Sequence, residues 1–279
     1  MSLKNKIKEF QRVVGVKNVD GVWGGLSQTA LDESDYEFKF KDSFVDFLST
    51  RTSRGPTRAQ KIESINKILE TCNKYNFGTI AKPDFEAKNP LYIGYIMATA
   101  YHETAHTMYP ISEYGKGLTR PYGKILSNSK GVKYGYRNSR KEAYLFSEYP
   151  FVYYGRGLVQ LTWLDNYIKM SKPAGIDLAK DPERANDPQY ASIILIYGMV
   201  KGSFTGVGLP RYIKYGYTNE FVNARRIVNG TDAQHKIAGY VNMFIENLEL
   251  KKMEKKDEIK EEKTCTCRCE CGARPEYMV

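Results

Sequence analysis

The stretch "YHETAH", Tyr101 to His106, carries enough chemistry for two different enzymes. His102, Glu103 and His106 spell H-E-x-x-H. On a helix, residues four apart share a face, so both imidazoles could hold one zinc ion while the glutamate acts as base. The shorter "HET" needs only Glu103, as an acid that protonates a leaving group. A zinc site also requires a third ligand and an open coordination position. The remaining histidine, His235, lies in an amphipathic segment, and Glu142 or Glu148 would have to complete the set. The segment before Glu103, "LYIGYIMATAYHETA", is apolar nearly all round and predicts a buried helix that starts at Pro90. Burial and the negative end of the helix dipole both suit a group that must hold a proton. His102 is then expected to support the cleft by hydrogen bonding, and His106 to be an ordinary loop or surface residue.

A second stretch, "YYGRGLVQLTWLDNY" from Tyr153 to Tyr167, combines glycines with regularly placed polar groups. Glycine permits close backbone approach to a ligand. Gln160, Thr162 and Asn166 offer amide and hydroxyl groups that could read sugar hydroxyls and N-acetyl groups, with Trp163 or a tyrosine as a stacking face. The same letters also fit a half-buried strand or turn whose polar groups satisfy backbone, and both readings stand.

Several elements must position these residues. Thr57 and Gln60 form a capping-box signature for a helix with Ile62, Ile65, Leu69 and Cys72 on one stripe, which makes Cys72 a core residue. Asp187 and Pro188 open a helix over "QYASIILIYGMV". Thr231 with Gln234 predicts another, carrying Ile237, Tyr240, Val241, Phe244 and Leu248. Between Tyr109 and Tyr154 the chain lacks periodicity, which predicts long loops around a cleft with room for a short hairpin. Residues 6–31 contain Phe10, Gln11, Val19, Asp20, Gly21, Gly24, Thr29 and Leu31 in an arrangement that resembles half of a small helical peptidoglycan-binding repeat. The alternative for that segment is a helix and turn packed on the rest of the chain. From about Glu246 the alternating charge of "LELKKMEKKDEIKEEK" predicts a solvated helix or tether. Cys265, Cys267, Cys269 and Cys271 then follow at every second position, too close for ordinary paired zinc ligands.

Composition narrows the function classes. With 279 residues there is room for one large domain, or a catalytic domain with a small module. The net charge of +10 calls for a polyanionic partner such as nucleic acid, an anionic membrane surface or an acidic wall polymer. No basic helix or aromatic RNA motif accompanies that charge, which argues against nucleic acid. No run reaches the roughly 18 apolar residues of a membrane span, so stable membrane insertion is not expected. The opening "MSLKNKIKEFQRVVG" lacks an apolar signal-peptide core, and the expectation is a protein made in a cytoplasm.

The order of "HET", "YYGRGLVQLTW" and "RIVNG" resembles glycoside hydrolase family 19, which holds plant-type chitinases and many phage endolysins. The resemblance runs from about Tyr92 to Leu248. It implies a mainly α, lysozyme-like bilobal helical hydrolase domain with long cleft loops. Glu103 then matches the general acid, Glu113 the general base that activates water, and Thr162 the hydroxyl that holds this water. Gln160 and Asn229 match polar residues of the sugar subsites, and Tyr154 and Arg156 belong to the motif that shapes the cleft. The family inverts configuration and uses no metal or cofactor. The plant disulfide cysteines are missing, and the loop near Glu113 looks more like the endolysin branch. The expected organisation is a binding-like segment over 1–50, a catalytic domain over 51–248, and a charged tether with a Cys-rich tail over 249–279. The expected activity is endolysin-type cleavage of peptidoglycan β-1,4 bonds. The alternatives are a chitinase using the same residues, or a non-catalytic wall-binding or virion structural protein. The expected protein is a monomer, with the tail able to mediate association. It would act on the bacterial wall after release from the cell, or from a phage-like particle.

Overall fold

Asn89 and Pro90 start the central helix. The Asn89 side chain accepts from the Leu91 backbone N–H at 2.9 Å, Pro90 occupies the first helical position, and every residue from Pro90 to Tyr101 is buried. The architecture is taken from a computed structural model, which describes residues 2–53, 55–74, 87–136, 142–214 and 220–253. Among these, the chain runs α1 (Leu3–Val13), α2 (Gly25–Asp32), β1 (Tyr36–Phe40), α3 (Asp42–Thr50), α4 (Arg58–Lys74), α5 (Pro90–Glu103) and β2 (Ile111–Ser112). It continues through β3 (Ile125–Ser127), β4 (Lys133–Tyr136), β5 (Ala143–Leu145), β6 (Arg156–Gly157), α6 (Leu164–Ala174), α7 (Pro188–Lys201), α8 (Gln234–Glu246) and β7 (Leu248–Lys252). The fold is mainly helical, as expected. No helix among the described residues is long and apolar enough to cross a membrane.

Helix α5 packs along α8, and α4 along α7. A Cβ on Gly94 of α5 would stand 2.5 Å from a side-chain carbon of Ile245, so this glycine sets how closely α5 and α8 approach. The capping box at the start of α4 is present in both directions. Thr57 N–H donates to Gln60 Oε1 at 2.9 Å, and Gln60 N–H to Thr57 Oγ1 at 3.3 Å. Cys72 is buried in the stripe formed with Ile65, Ile68 and Leu69, and burial pushes its thiol pKa up. Helix α7 opens on Asp187, whose side chain accepts from Gln189 N–H at 3.0 Å, and closes on Gly202.

Two expectations are corrected here. Helix α8 has no capping box: Ala233, at φ +55, stands at its N-cap, and Thr231 offers Gln234 N–H only its carbonyl, at 3.3 Å. The charged segment after Glu246 does not begin as a helix or tether. Leu248–Lys252 pair antiparallel with β1, Phe40 opposite Leu248 and Tyr36 opposite Lys252. Leu248 and Leu250 point to the core side while the last two lysines are exposed, so a period of two overrides the charge alternation. The Cys-rich tail lies outside the described residues.

The N-terminal motif is explained by its own hydrogen bonds. Gln11 Nε2 donates to Asp20 Oδ1 at 2.9 Å, Val22 O at 3.0 Å and Ser27 Oγ at 3.1 Å, and Gly21 N–H donates back to Gln11 Oε1 at 2.8 Å. Gly21 has φ +82, and a Cβ there would lie 2.6 Å from a Lys4 side-chain carbon. Ile7, Phe10, Trp23, Leu31 and Phe38 join the same hydrophobic core as α5 and α8.

Candidate functional site

Helix α5 ends at Glu103. Thr104 closes it, with its Oγ1 donating to Ala100 O at 2.7 Å. The chain then turns through Ala105 (φ +49) and His106 (φ +70). His106 is therefore not one helical turn beyond His102, and the two imidazoles do not share a helix face. Its ring stacks on Tyr101 with centroids 4.3 Å apart, and its Nε2 lies 3.3 Å from Tyr240 Oη. His102 is half-buried and makes no hydrogen bond among the described residues; burial lowers its pKa. His235 is exposed beside Gln234. The helical zinc geometry of "HETAH" is thus not formed.

Glu103 is held by a residue far away in the chain. Its Oε1 accepts from Arg225 Nη1 at 2.5 Å, with the glutamate side chain 17% exposed and the arginine 3%. Arg225 also donates from Nε to Asp232 O at 2.9 Å. The short turn Asn223–Ile227 presents this arginine, and Asn229 closes the turn by donating its N–H to Arg225 O at 3.0 Å. The Asn229 side chain is exposed and accepts from Gly230 N–H at 2.9 Å. Glu103 Oε2 takes no hydrogen bond among the described residues.

Glu113 follows β2 and is 20% exposed. Its two oxygens accept from Tyr122 Oη at 2.7 and 2.6 Å, and Oε2 also accepts from Gly155 N–H at 3.0 Å. Glu113 N–H donates to Gly155 O at 2.7 Å, so backbone and side chain grip the same glycine. Arg120 Nε stands 3.7 Å from Oε1. Burial, followed by the bond to Glu113, raises the Tyr122 phenol pKa. Trp163 packs edge-on against Tyr122 at 5.1 Å and 83°. Its position, at φ +71, is fixed by Trp163 N–H donating to Tyr153 O at 2.9 Å. Glu142 and Glu148, the reserve carboxylates, are both exposed.

The "YYGRGLVQLTW" stretch forms the brace for this loop. Arg156 is 3% exposed and donates from Nε and Nη2 to Glu183 Oε1 at 3.0 and 2.8 Å. Its Nη1 reaches Val152 O at 3.1 Å, Tyr154 O at 3.3 Å and Tyr167 Oη at 3.0 Å. Tyr154 donates its hydroxyl to the same Glu183 oxygen at 2.9 Å, beneath the guanidinium, which lies 3.5 Å from the ring centre. Burial opposes the Glu183 charge, but these donors outweigh it and lower that carboxyl's pKa. Gln160 donates to Ile111 O at 3.0 Å, tying the elbow to β2, and Asn166 donates to Thr162 O at 2.8 Å. Gly157, at φ +87, packs so tightly that a Cβ would lie 2.7 Å from Ala185 O. Thr162 is half-buried, and its hydroxyl makes no hydrogen bond among the described residues. Of the two readings of this stretch, the amides of Gln160 and Asn166 follow the backbone-satisfying one.

Arg225, Tyr122 and Glu183 are the site residues that sequence reasoning did not single out. "RIVNG" pointed at Asn229 and stopped one residue short of Arg225. A cavity of about 700 Å³ opens elsewhere, lined by Phe40, Val45, Arg58, Leu69 and Lys251 among others, and holds none of the candidate residues.

No protein-family model and no curated protein matches the chain. Among solved structures it is similar to chitinase C from Streptomyces griseus, with 16% identity over 74% of this chain and 75% of that one, at a TM-score of 0.43. It is also similar to a bacterial family 19 chitinase, with 16% identity over 74% and 93%, at 0.41. A third similar structure is the family 19, class IV chitinase from Zea mays, with 20% identity over 74% and 91%, at 0.43.

Proposed function

We propose that the chain is a glycoside hydrolase that cuts β-1,4 bonds between N-acetylated amino sugars in peptidoglycan, as an endolysin does. The observation that carries this reading is the unequal treatment of two part-buried carboxylates. Glu103 has one oxygen fixed by Arg225 and the other without a hydrogen bond among the described residues, while Glu113 has both oxygens facing donors. An oxygen without a hydrogen bond can carry the proton that a leaving sugar needs. Donors on both oxygens fix the Glu113 carboxylate in one orientation, as the positioning of a general base requires.

In this scheme Glu103 Oε2 gives its proton to the glycosidic oxygen as the bond to the anomeric carbon breaks. Water attacks that carbon from the opposite face and passes a proton to Glu113, with the Thr162 hydroxyl orienting the water. Inversion follows, and it requires the carboxyls about 6.5–9.5 Å apart to admit the water. The net charge of +10 favours an acidic wall polymer over neutral chitin. Action on the wall after release, or from a particle, belongs to the same proposal.

The test is reducing-end release from purified sacculi and from chito-oligosaccharides, with the first anomer read by NMR. The expected result is faster cutting of sacculi and an α-anomer first. Preferential cutting of chito-oligosaccharides would make the protein a chitinase, and wall binding without any release would remove the enzymatic reading.

A further inference from the structure

Between Tyr114 and Tyr136 the chain carries Lys116, Arg120, Lys124, Lys130 and Lys133 and no aspartate or glutamate. All five cations are exposed. Apart from Arg120 beside Glu113, none has a carboxylate within ion-pair distance among the described residues. By contrast, Lys39 pairs with Glu37, Lys74 with Glu70 and Lys251 with Glu249. This stretch thus carries cations with no acidic residue of its own to offset them.

The lobe that this stretch builds also shows apolar surface. Strands β3, β4 and β5 form a three-stranded antiparallel sheet. Leu126 stands opposite Tyr134 and Tyr134 opposite Leu145, so the three make one row across one face. Leu126 is 44% exposed and Leu145 37%, while Tyr114, directly after Glu113, is fully exposed. The opposite face is anchored: Tyr144 is buried beneath Gly135 and donates its hydroxyl to Phe151 O at 3.3 Å. Tyr122 belongs to the lobe and holds Glu113, so the surface is continuous with the candidate site.

We propose that this lobe docks an anionic glycan, the stretch of wall polymer beyond the bond that is cut. Sugar faces lie on Tyr114 and the Leu126–Tyr134–Leu145 row, and carboxylates on the polymer meet the cations beside it, Lys124 and Lys130 among them. The identity of the polymer rests on the glycosidase reading; the charge and shape of the surface do not. A membrane is the poorer partner, because the loop between β3 and β4 is polar. Asn128 Oδ1 there accepts from the N–H groups of Lys130 and Val132 at 2.9 and 3.0 Å, its tip is Ser129–Lys130–Gly131, and its one apolar residue, Val132, sits at the base of the loop beside β4.

The experiment is co-sedimentation in a Glu103→Gln background, so that binding is read without cutting. The parent and a Lys124→Glu/Lys130→Glu variant are compared on native sacculi, on sacculi with amidated carboxylates, and on phosphatidylglycerol vesicles. Circular dichroism and the thermal midpoint establish that the variant is folded. The expected result is about tenfold weaker binding of the variant to native sacculi, with amidation weakening the parent to a similar level. Equal binding of parent and variant to native sacculi would overturn the proposal. So would a loss seen only on vesicles, which would assign the lobe to lipid. If the variant loses binding to sacculi but the wild-type chain frees no reducing ends, the catalytic reading falls and the docking surface stands.

Discussion

The two candidate catalytic carboxylates sit in regions built on different principles. Glu103 ends a helix buried from Pro90 to Tyr101, and its partner is a guanidinium brought from 122 positions away. Glu113 leaves a two-residue strand and is hydrogen-bonded by neutral donors, a phenol nine residues on and the backbone N–H of Gly155, with the exposed Arg120 guanidinium farther off at 3.7 Å. The first region is positioned by the hydrophobic core, the second by a polar brace centred on Arg156. The difference teaches where sensitivity lies. On the proposed mechanism, Glu103 depends on one charge pair, and Glu113 on alignment shared among several weak contacts.

The largest expected effect is from Glu103→Gln, which keeps shape and removes the ionisable oxygen. Turnover of sacculi should fall about 10³-fold, and the thermal midpoint should drop modestly, because the buried Arg225 loses its counter-charge and keeps only an amide oxygen as acceptor. Arg225→Met comes next. It leaves Glu103 Oε1 without its donor and should lower kcat about 10²-fold while reducing stability by ~2 kcal/mol, read by denaturant titration. If Arg225→Met altered stability alone, the guanidinium would be a brace like Arg156 and the contrast between the two regions would disappear. Tyr122→Phe should lower kcat about tenfold and leave KM in place, because Gly155 still holds Glu113. A larger loss than that from Arg225→Met would reverse the ranking of the two regions.

The smallest effect concerns pH. Burial lowers the pKa of both His102 and His106 below the ordinary value of 6.5. The unfolded chain therefore takes up protons first as the pH falls. Stability should be level above about pH 6.5 and decline below it. Thermal midpoints measured from pH 8 to 5 should show this slope, and it should be shallower in His106→Gln.

Local signals made much of the helical framework legible. Asn89–Pro90, Asp187–Pro188 and the Thr57/Gln60 box each satisfy orphan donors within a few residues, so their outcome is readable from neighbours alone. The same logic failed at Thr231, where Ala233 adopts a left-handed turn that no nearby residue type announces. Long-range partners were the least legible. Nothing local links Arg225 to Glu103, or Tyr36 to Lys252 across the β1–β7 pair. "LELKK" did carry a period of two, but five residues are too few to outweigh the charge alternation around them. In the "YYGRGLVQLTW" stretch the residue types were legible and their direction was not. An amide that can read a sugar can equally bond Ile111 O, and only the fold shows which it faces.

The most direct test of the central claim is digestion of purified peptidoglycan by wild type and by Glu103→Gln, both pretreated with EDTA, with the products weighed by mass spectrometry. The account predicts muropeptides cut between sugars, released by chelated wild type and absent with the variant. Cleaved peptide stems, or activity abolished by EDTA and restored by zinc, would contradict it and return "HETAH" to its histidines.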